Sequence, residues 1–230
     1  MQQLSGIKHI FFDLDHTLWD FDTNSKKAYQ FIFNKNEIDI DIDEFKRIYE
    51  PINHQYWKLY REEKITKKNL KYARLKEVFD ILNYTISDEL INQLADEYLE
   101  NLSNYNTLFK GAIDLLNYLK PNYKLHIITN GFSEIQTAKL ENAKINHYFE
   151  QIITSESVLV KKPNPKIFFH ALELANAHTY ESIMIGDNLE ADVYGALNVG
   201  VKAIHCNFIN GEQLKKVITV TELSQIKEYL

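Results

Sequence analysis

Five short apolar runs, at residues 8–12, 125–129, 151–154, 183–186 and 201–205, constrain this chain more than any other feature of its sequence. Runs of four or five residues without a polar alternate face read as strands buried on both sides, the examples at 151–154 and 201–205 being the weaker ones. Between them lie helical stretches. Residues 164–177 put Ile167, Phe168, Ala171, Leu172 and Ala175 on one face, and 132–143 and 189–198 have helix-compatible length and composition. Strands alternating with helices make parallel βαβ units, so the expected fold class is α/β, with a three-layer, Rossmann-like parallel sheet core.

The stretch 20–106 breaks that alternation. It holds no convincing strand and reads as helices at 24–34, 43–61, 66–82 and 87–102. In the last of these Ser87 is a candidate N-cap, Asp88 and Glu89 suit the helix dipole, and Leu90, Leu94 and Tyr98 form an apolar stripe. The expected organisation is an α/β core of residues 1–19 and 107–230 with an all-α domain, 20–106, inserted after the first strand. Phe45, Tyr49, Tyr56, Trp57 and Tyr60 recur at helical spacing, which favours packing of a small bundle over a base-stacking platform.

Composition narrows the function. The chain is globular in type, with 45% hydrophobic and 25% charged residues, and no stretch approaches the run of about 18 apolar residues that a membrane helix needs. A net charge of -6 with 26 dispersed basic residues argues against a nucleic-acid polymer as partner, so a small anionic substrate would need a local cluster of cations. The single cysteine, Cys206, cannot form an internal disulfide and reads as a small buried hydrophobe. With no signal-peptide pattern at the start, a cytoplasmic setting is the expectation.

The ends of the apolar runs carry the chemistry. Asp13-Leu14-Asp15-His16-Thr17 follows the first, and side chains two apart in an extended segment leave the chain on the same side. Paired carboxylates there either bind a hard divalent cation or divide acid and base roles. The second run ends in Thr129-Asn130-Gly131, where a hydroxyl, backbone N–H groups and a glycine open a helix, a geometry suited to an anion. Lys161 and Lys162 precede Pro163 at a proline-stiffened helix entry, and Gly186-Asp187 opens a segment that reaches Asp192. An acidic metal site, an anion-binding hydroxyl and a lysine at separate strand ends form the set that phosphoryl transfer requires.

These motifs, Asp13 through Thr17, Thr129, Lys162 before Pro163, and Gly186-Asp187 through Asp192, resemble in order those of the haloacid dehalogenase-like hydrolase superfamily, and the helical block falls where one subclass carries its cap domain. The resemblance covers practically the whole chain. It implies that Asp13 is a nucleophile forming an aspartyl-phosphate, that Asp15 is the general acid and base, and that Thr129 with the N–H of Asn130 holds phosphoryl oxygens. It further implies Lys162, rather than its neighbour Lys161, as the charge-offsetting lysine. Mg²⁺ would be held by Asp13, the carbonyl of Asp15 and Asp187, with Asp192 acting through a metal-bound water or a hydrogen bond to the lysine. Dehalogenating members that resemble this chain lack a carboxylate at the position of Asp15, so phosphate chemistry is expected.

A shorter resemblance, Asp15-His16-Thr17-Leu18-Trp19-Asp20-Phe21, is to the pyrimidine 5′-nucleotidase or house-cleaning nucleotide phosphatase branch. It implies that His16 and Trp19 shape a pocket for a nucleoside monophosphate, against plain packing of Trp19. The expectation is therefore a Mg²⁺-dependent phosphomonoesterase, monomeric or homodimeric, acting on a small phosphorylated metabolite. A sugar-phosphate phosphatase or phosphomutase and a non-catalytic phosphate-ligand binder stand as alternatives.

Overall fold

The structure is a computed structural model that describes residues 4–208 and 217–230. The chain divides into two compact units, Met1–Phe21 with Asn106–Leu230, and Asp22–Tyr105.

The first unit is built on a parallel six-stranded sheet of β1 (His9–Phe12), β2 (Lys124–Thr129), β3 (Phe149–Thr154), β4 (Ser182–Gly186), β5 (Lys202–Cys206) and β6 (Ile218–Val220), in the order β3-β2-β1-β4-β5-β6. All five apolar runs are strands. β1 is central and fully buried, Phe12 pairing with Ile127 on one side and Ile185 on the other, which explains why its sequence carries no polar face. The strand order reverses direction at β1, and in open parallel sheets that switch point opens a crevice beyond the carboxyl ends, where Asp13 lies. The edge strand β6 escapes the sequence pattern because it has only three residues, two of them half-buried.

The second unit is helical: α1 (Phe21–Lys35, which starts at the junction), α2 (Ile42–Arg61), α3 (Lys67–Ile81) and α4 (Asp88–Leu102). Three starts are capped by side chains that accept a backbone N–H, Asp41 from Glu44, Thr66 from Asn69 and Ser87 from Leu90, as the sequence led one to expect for Ser87. Of the aromatic stripe on α2, Phe45, Tyr49 and Tyr60 are buried, and Phe45 and Tyr49 pack around Tyr29. Tyr56 and Trp57 are half-exposed, and the Tyr56 hydroxyl donates to Glu77.

In the first unit the remaining helices are α5 (Ala112–Leu119), α6 (Ser133–Asn142), α7 (Ser155–Val158), α8 (Pro165–Ala175) and α9 (Gly195–Asn198). The short α5, with Ala112, Leu115, Leu116 and Leu119 buried, was not anticipated. The segment expected as one helix over 189–198 opens instead as a π-helical turn, Leu189–Tyr194, before α9. There the Val193 N–H reaches back five residues to the Asn188 carbonyl, widening the turn. Cys206 is buried and unbridged, and among the described residues no helix is long and apolar enough to cross a membrane.

Candidate active site

The crevice at the carboxyl edge of the sheet gathers residues from four separate segments. Asp13 continues β1 by one residue, its N–H donating to the Ile185 carbonyl of β4 at 2.9 Å, so its side chain is aimed by the sheet itself. Beyond it the chain folds tightly: the Leu14 carbonyl accepts from Leu18 and Trp19, and His16 takes φ +60°, a left-handed conformation that glycine adopts most easily. Asp15 is thereby brought to the crevice beside Asp13.

Lys162 is the hub. Its ammonium lies 2.6 Å from Asp13 Oδ1, 2.6 Å from Asp192 Oδ1 and 2.6 Å from the Ile128 carbonyl, and its side chain is 1% exposed. The Asn130 side chain explains its placement: the amide accepts the Lys162 N–H at 2.8 Å and donates to the Lys162 carbonyl at 3.0 Å, ahead of a cis Lys162–Pro163 bond. Lys161 is half-buried, and the ammonium that meets Asp13 is that of Lys162.

Asp192 is fixed twice over, by Lys162 and by the Asn188 N–H, which donates to Oδ2 at 3.0 Å. The close approach needs Gly186, since a Cβ there would run into the Asp192 carboxylate. With both oxygens engaged, Asp192 is arranged to hold the lysine. Asp187 is half-buried, accepts from the Thr17 hydroxyl at 3.3 Å, and its backbone carbonyl meets His205 Nε2 at 2.9 Å.

The electrostatics are lopsided. Burial pushes the Asp13 carboxyl well above the ordinary range, with Lys162 opposing and Asp192 and Asp187 adding to the rise. Asp187 is pushed up to about 8, first by burial and then by Asp192. Burial works against the charge of Lys162, but Asp13 and Asp192 together outweigh it and hold the ammonium above its usual value. Carboxylate oxygens of Asp13, Asp187 and Asp192 all lie within 4.8 Å of one another. A hard divalent cation fits this oxygen-only set, because it supplies the positive charge that one lysine cannot.

Thr129 ends β2 with its hydroxyl accepting from the Gly131 N–H at 3.1 Å and from Gln136 Nε2 at 2.6 Å. Gly131, expected as an anion donor, thus directs its N–H to Thr129, and its lack of a Cβ leaves room for the Gln136 amide. Trp19 is fully buried, with the Lys139 ammonium 4.1 Å from its ring centroid, so plain packing describes it better than a pocket wall. His16 is half-buried, 4.9 Å from Phe21 between ring centroids.

Two site residues went unread in the sequence: Lys139, 2.6 Å from Asp15 Oδ1, and Gln136, 3.2 Å from Asp15 Oδ2. Burial lowers the Lys139 pKa despite the opposing pull of Asp15. Both stand on α6 three residues apart, a spacing that puts them on one face.

This geometry coincides with a family match. The model of the haloacid dehalogenase-like hydrolases fits residues 10–206. The chain belongs to that family. Among relatives of this hydrolase, the pyrimidine 5′-nucleotidase YjjG of Escherichia coli is 33% identical over 96% of each chain. The pyrimidine 5′-nucleotidase PynA of Streptococcus pneumoniae is 34% identical over 87% of this chain and 84% of its own. The crystal structure of the putative HAD-hydrolase YfnB from Bacillus subtilis, bound to magnesium, superposes with a TM-score of 0.87 at 25% identity, over 96% of this chain and 97% of that one.

Proposed function

We propose that the hydrolase is a Mg²⁺-dependent phosphomonoesterase that works through an aspartyl-phosphate, with nucleoside 5′-monophosphates as substrates. The observation that carries this reading is the Lys162 ammonium held between Asp13 and Asp192 at 2.6 Å from each, beside Asp187, at the switch point of the sheet. Asp13 attacks phosphorus: a bond forms between its carboxylate oxygen and phosphorus while the phosphorus–oxygen bond to the leaving group breaks. Asp15 gives the leaving oxygen its proton, then takes one from the water that hydrolyses the aspartyl-phosphate, releasing inorganic phosphate and restoring both carboxyl groups. Thr129 and the backbone N–H of Asn130 orient the phosphoryl oxygens, and Lys162 offsets their charge. Asp13, Asp187 and the Asp15 carbonyl would hold Mg²⁺, which when bound neutralises phosphoryl charge in the transition state. Asp192 keeps Lys162 in place.

The nucleotide preference rests on the Asp15–Phe21 segment and on the two nucleotidase relatives. The helical unit is the proposed cap domain, the part that sets substrate choice. Two measurements test the reading. Asp13→Asn should lose turnover of p-nitrophenyl phosphate by on the order of 10⁴-fold while melting as the wild type does, and unchanged turnover would remove Asp13 as nucleophile. A Mg²⁺-dependent screen over nucleotides and sugar phosphates, scored by kcat/KM, should rank pyrimidine 5′-monophosphates first; a sugar phosphate at the head would refute the nucleotide preference.

A further inference from the structure

Helix α6 turns an unusual face to the interior. Its buried residues are Gln136, Lys139 and Leu140, so two of the three are polar, and Lys139 is 2% exposed. Their side chains converge on one carboxylate: Lys139 Nζ takes Asp15 Oδ1 at 2.6 Å, and Gln136 Nε2 takes Oδ2 at 3.2 Å. The same Gln136 nitrogen donates to Thr129 Oγ1 at 2.6 Å. Lys139 is itself held from behind, its ammonium 4.1 Å from the Trp19 ring centroid and 5.4 Å from that of Phe21, a cation–π platform within the same unit.

Asp15 needs such a grip. It lies beyond the end of β1 in a turn where His16 is left-handed, held by an isolated bridge to Trp19 and not by a neighbouring strand of the sheet as Asp13 is. An acid that must meet the leaving oxygen within hydrogen-bond reach gains rate only while its carboxyl is pointed there. Ordinary charge balancing would ask for one cation near Asp15; it does not ask for donors on both oxygens and an aromatic rest beneath the cation.

We infer that Lys139, seated on Trp19, is a positioning residue that aims the Asp15 carboxyl at the leaving-group oxygen, with Gln136 tying that carboxyl to the Thr129 turn. The inference rests on the proposed role of Asp15 as acid. It also gives Trp19 a task in the chemistry without contact to substrate.

The test uses leaving groups that differ in their need for a proton. In the full chain with Mg²⁺, kcat/KM, which ends at departure of the leaving group and so leaves out the water step common to both substrates, is measured for uridine 5′-monophosphate, whose alkoxide must be protonated, and for p-nitrophenyl phosphate, whose leaving group departs without help. Lys139→Met is expected to lower kcat/KM for the nucleotide about a hundredfold and for p-nitrophenyl phosphate less than about tenfold. Equal losses on the two substrates would make Lys139 a structural residue and overturn the inference. Lys139→Arg keeps the cation and should hold the ratio of the two rates within about threefold of wild type; a ratio as low as that of Asp15→Asn overturns the inference, and this variant decides if Lys139→Met does not fold. Asp15→Asn is the control. Equal losses there would refute Asp15 as acid and the inference with it, whereas a steep ratio for Asp15→Asn beside a flat one for Lys139→Met removes the positioning role alone.

Discussion

Both units of this chain bury a long cation, and they do so in opposite ways. In the sheet unit Lys162 meets two carboxylates and a carbonyl. In the helical unit Arg74, 1% exposed, lies 5.7 Å from the Tyr49 ring centroid and 5.5 Å from that of Tyr98 and donates to Asn53 Oδ1 at 2.7 Å, with no carboxylate among the described residues paired to it. Tyr29 and Tyr98 stack at 4.2 Å beside it. The aromatic setting tolerates a cation and asks for nothing more. The sheet site crowds Asp13, Asp187 and Asp192 around one ammonium, an imbalance that packing does not require and that charge-transfer chemistry uses.

The contrast can be broken in several ways. Lys162→Met strands three carboxylates, so it should lower turnover by on the order of 10³-fold and stability by about 3–5 kcal/mol, read by kinetics and urea unfolding; a loss of activity without loss of stability would mean the cluster relaxes once the lysine is gone. Next comes the cation itself: Mg²⁺ at about 100 times its Kd should stabilise the chain by about 2.7 kcal/mol and raise Tm by about 5–10 °C. Hydrogen exchange should then slow in the sheet unit and stay unchanged over residues 22–105; slowing spread across both would dissolve the distinction.

A third buried polar pair sharpens it. His9 Nδ1 and His126 Nε2 lie 3.1 Å apart inside the sheet unit, and burial, with His9 and the nearby Lys124 and Lys120 adding, holds His126 down to about 3. An unfolded histidine titrates near 6.5, so the unfolded chain binds the proton first as pH falls. The stability that neutral His126 contributes is complete above about pH 6.5 and is lost on acidification toward 3, by about 2 kcal/mol at pH 5. Urea midpoints at pH 7 and 5 should therefore converge in His126→Gln relative to wild type; an unchanged gap would assign the acid sensitivity elsewhere. The smallest effect is expected at Arg74→Met, about 1 kcal/mol with kcat intact, and a large loss of turnover there would end the view of Arg74 as packing.

The sheet and most stations of the candidate site were legible because they sit where an apolar run stops, and burial on both faces leaves a signature in composition. Asp13, Thr129 and Asp187 are at such ends, whereas Lys162, eight residues past the run that ends at Thr154, was marked by its place before Pro163. Lys139 and Gln136 were not legible for the converse reason: hydrophobic periodicity finds buried faces by their apolar residues, and α6 buries polar ones. The pair Gln136 and Lys139, three apart in the helix that follows Thr129, was the available signal. The dual hold of Asn130 on the Lys162 backbone could not be read either, since it joins residues 32 positions apart through side-chain amide geometry.

One consequence of the Lys162 hub reaches past chemistry. Its ammonium touches a residue after β1, a carbonyl of β2 and a residue after β4, three adjacent strands of one sheet. A slip of any of them by one residue would turn its side chains to the opposite face and scatter the cluster. Measured turnover in this protein is thus also a gauge of strand registration, reporting a misfolded sheet that bulk spectroscopic probes of secondary structure would score as native.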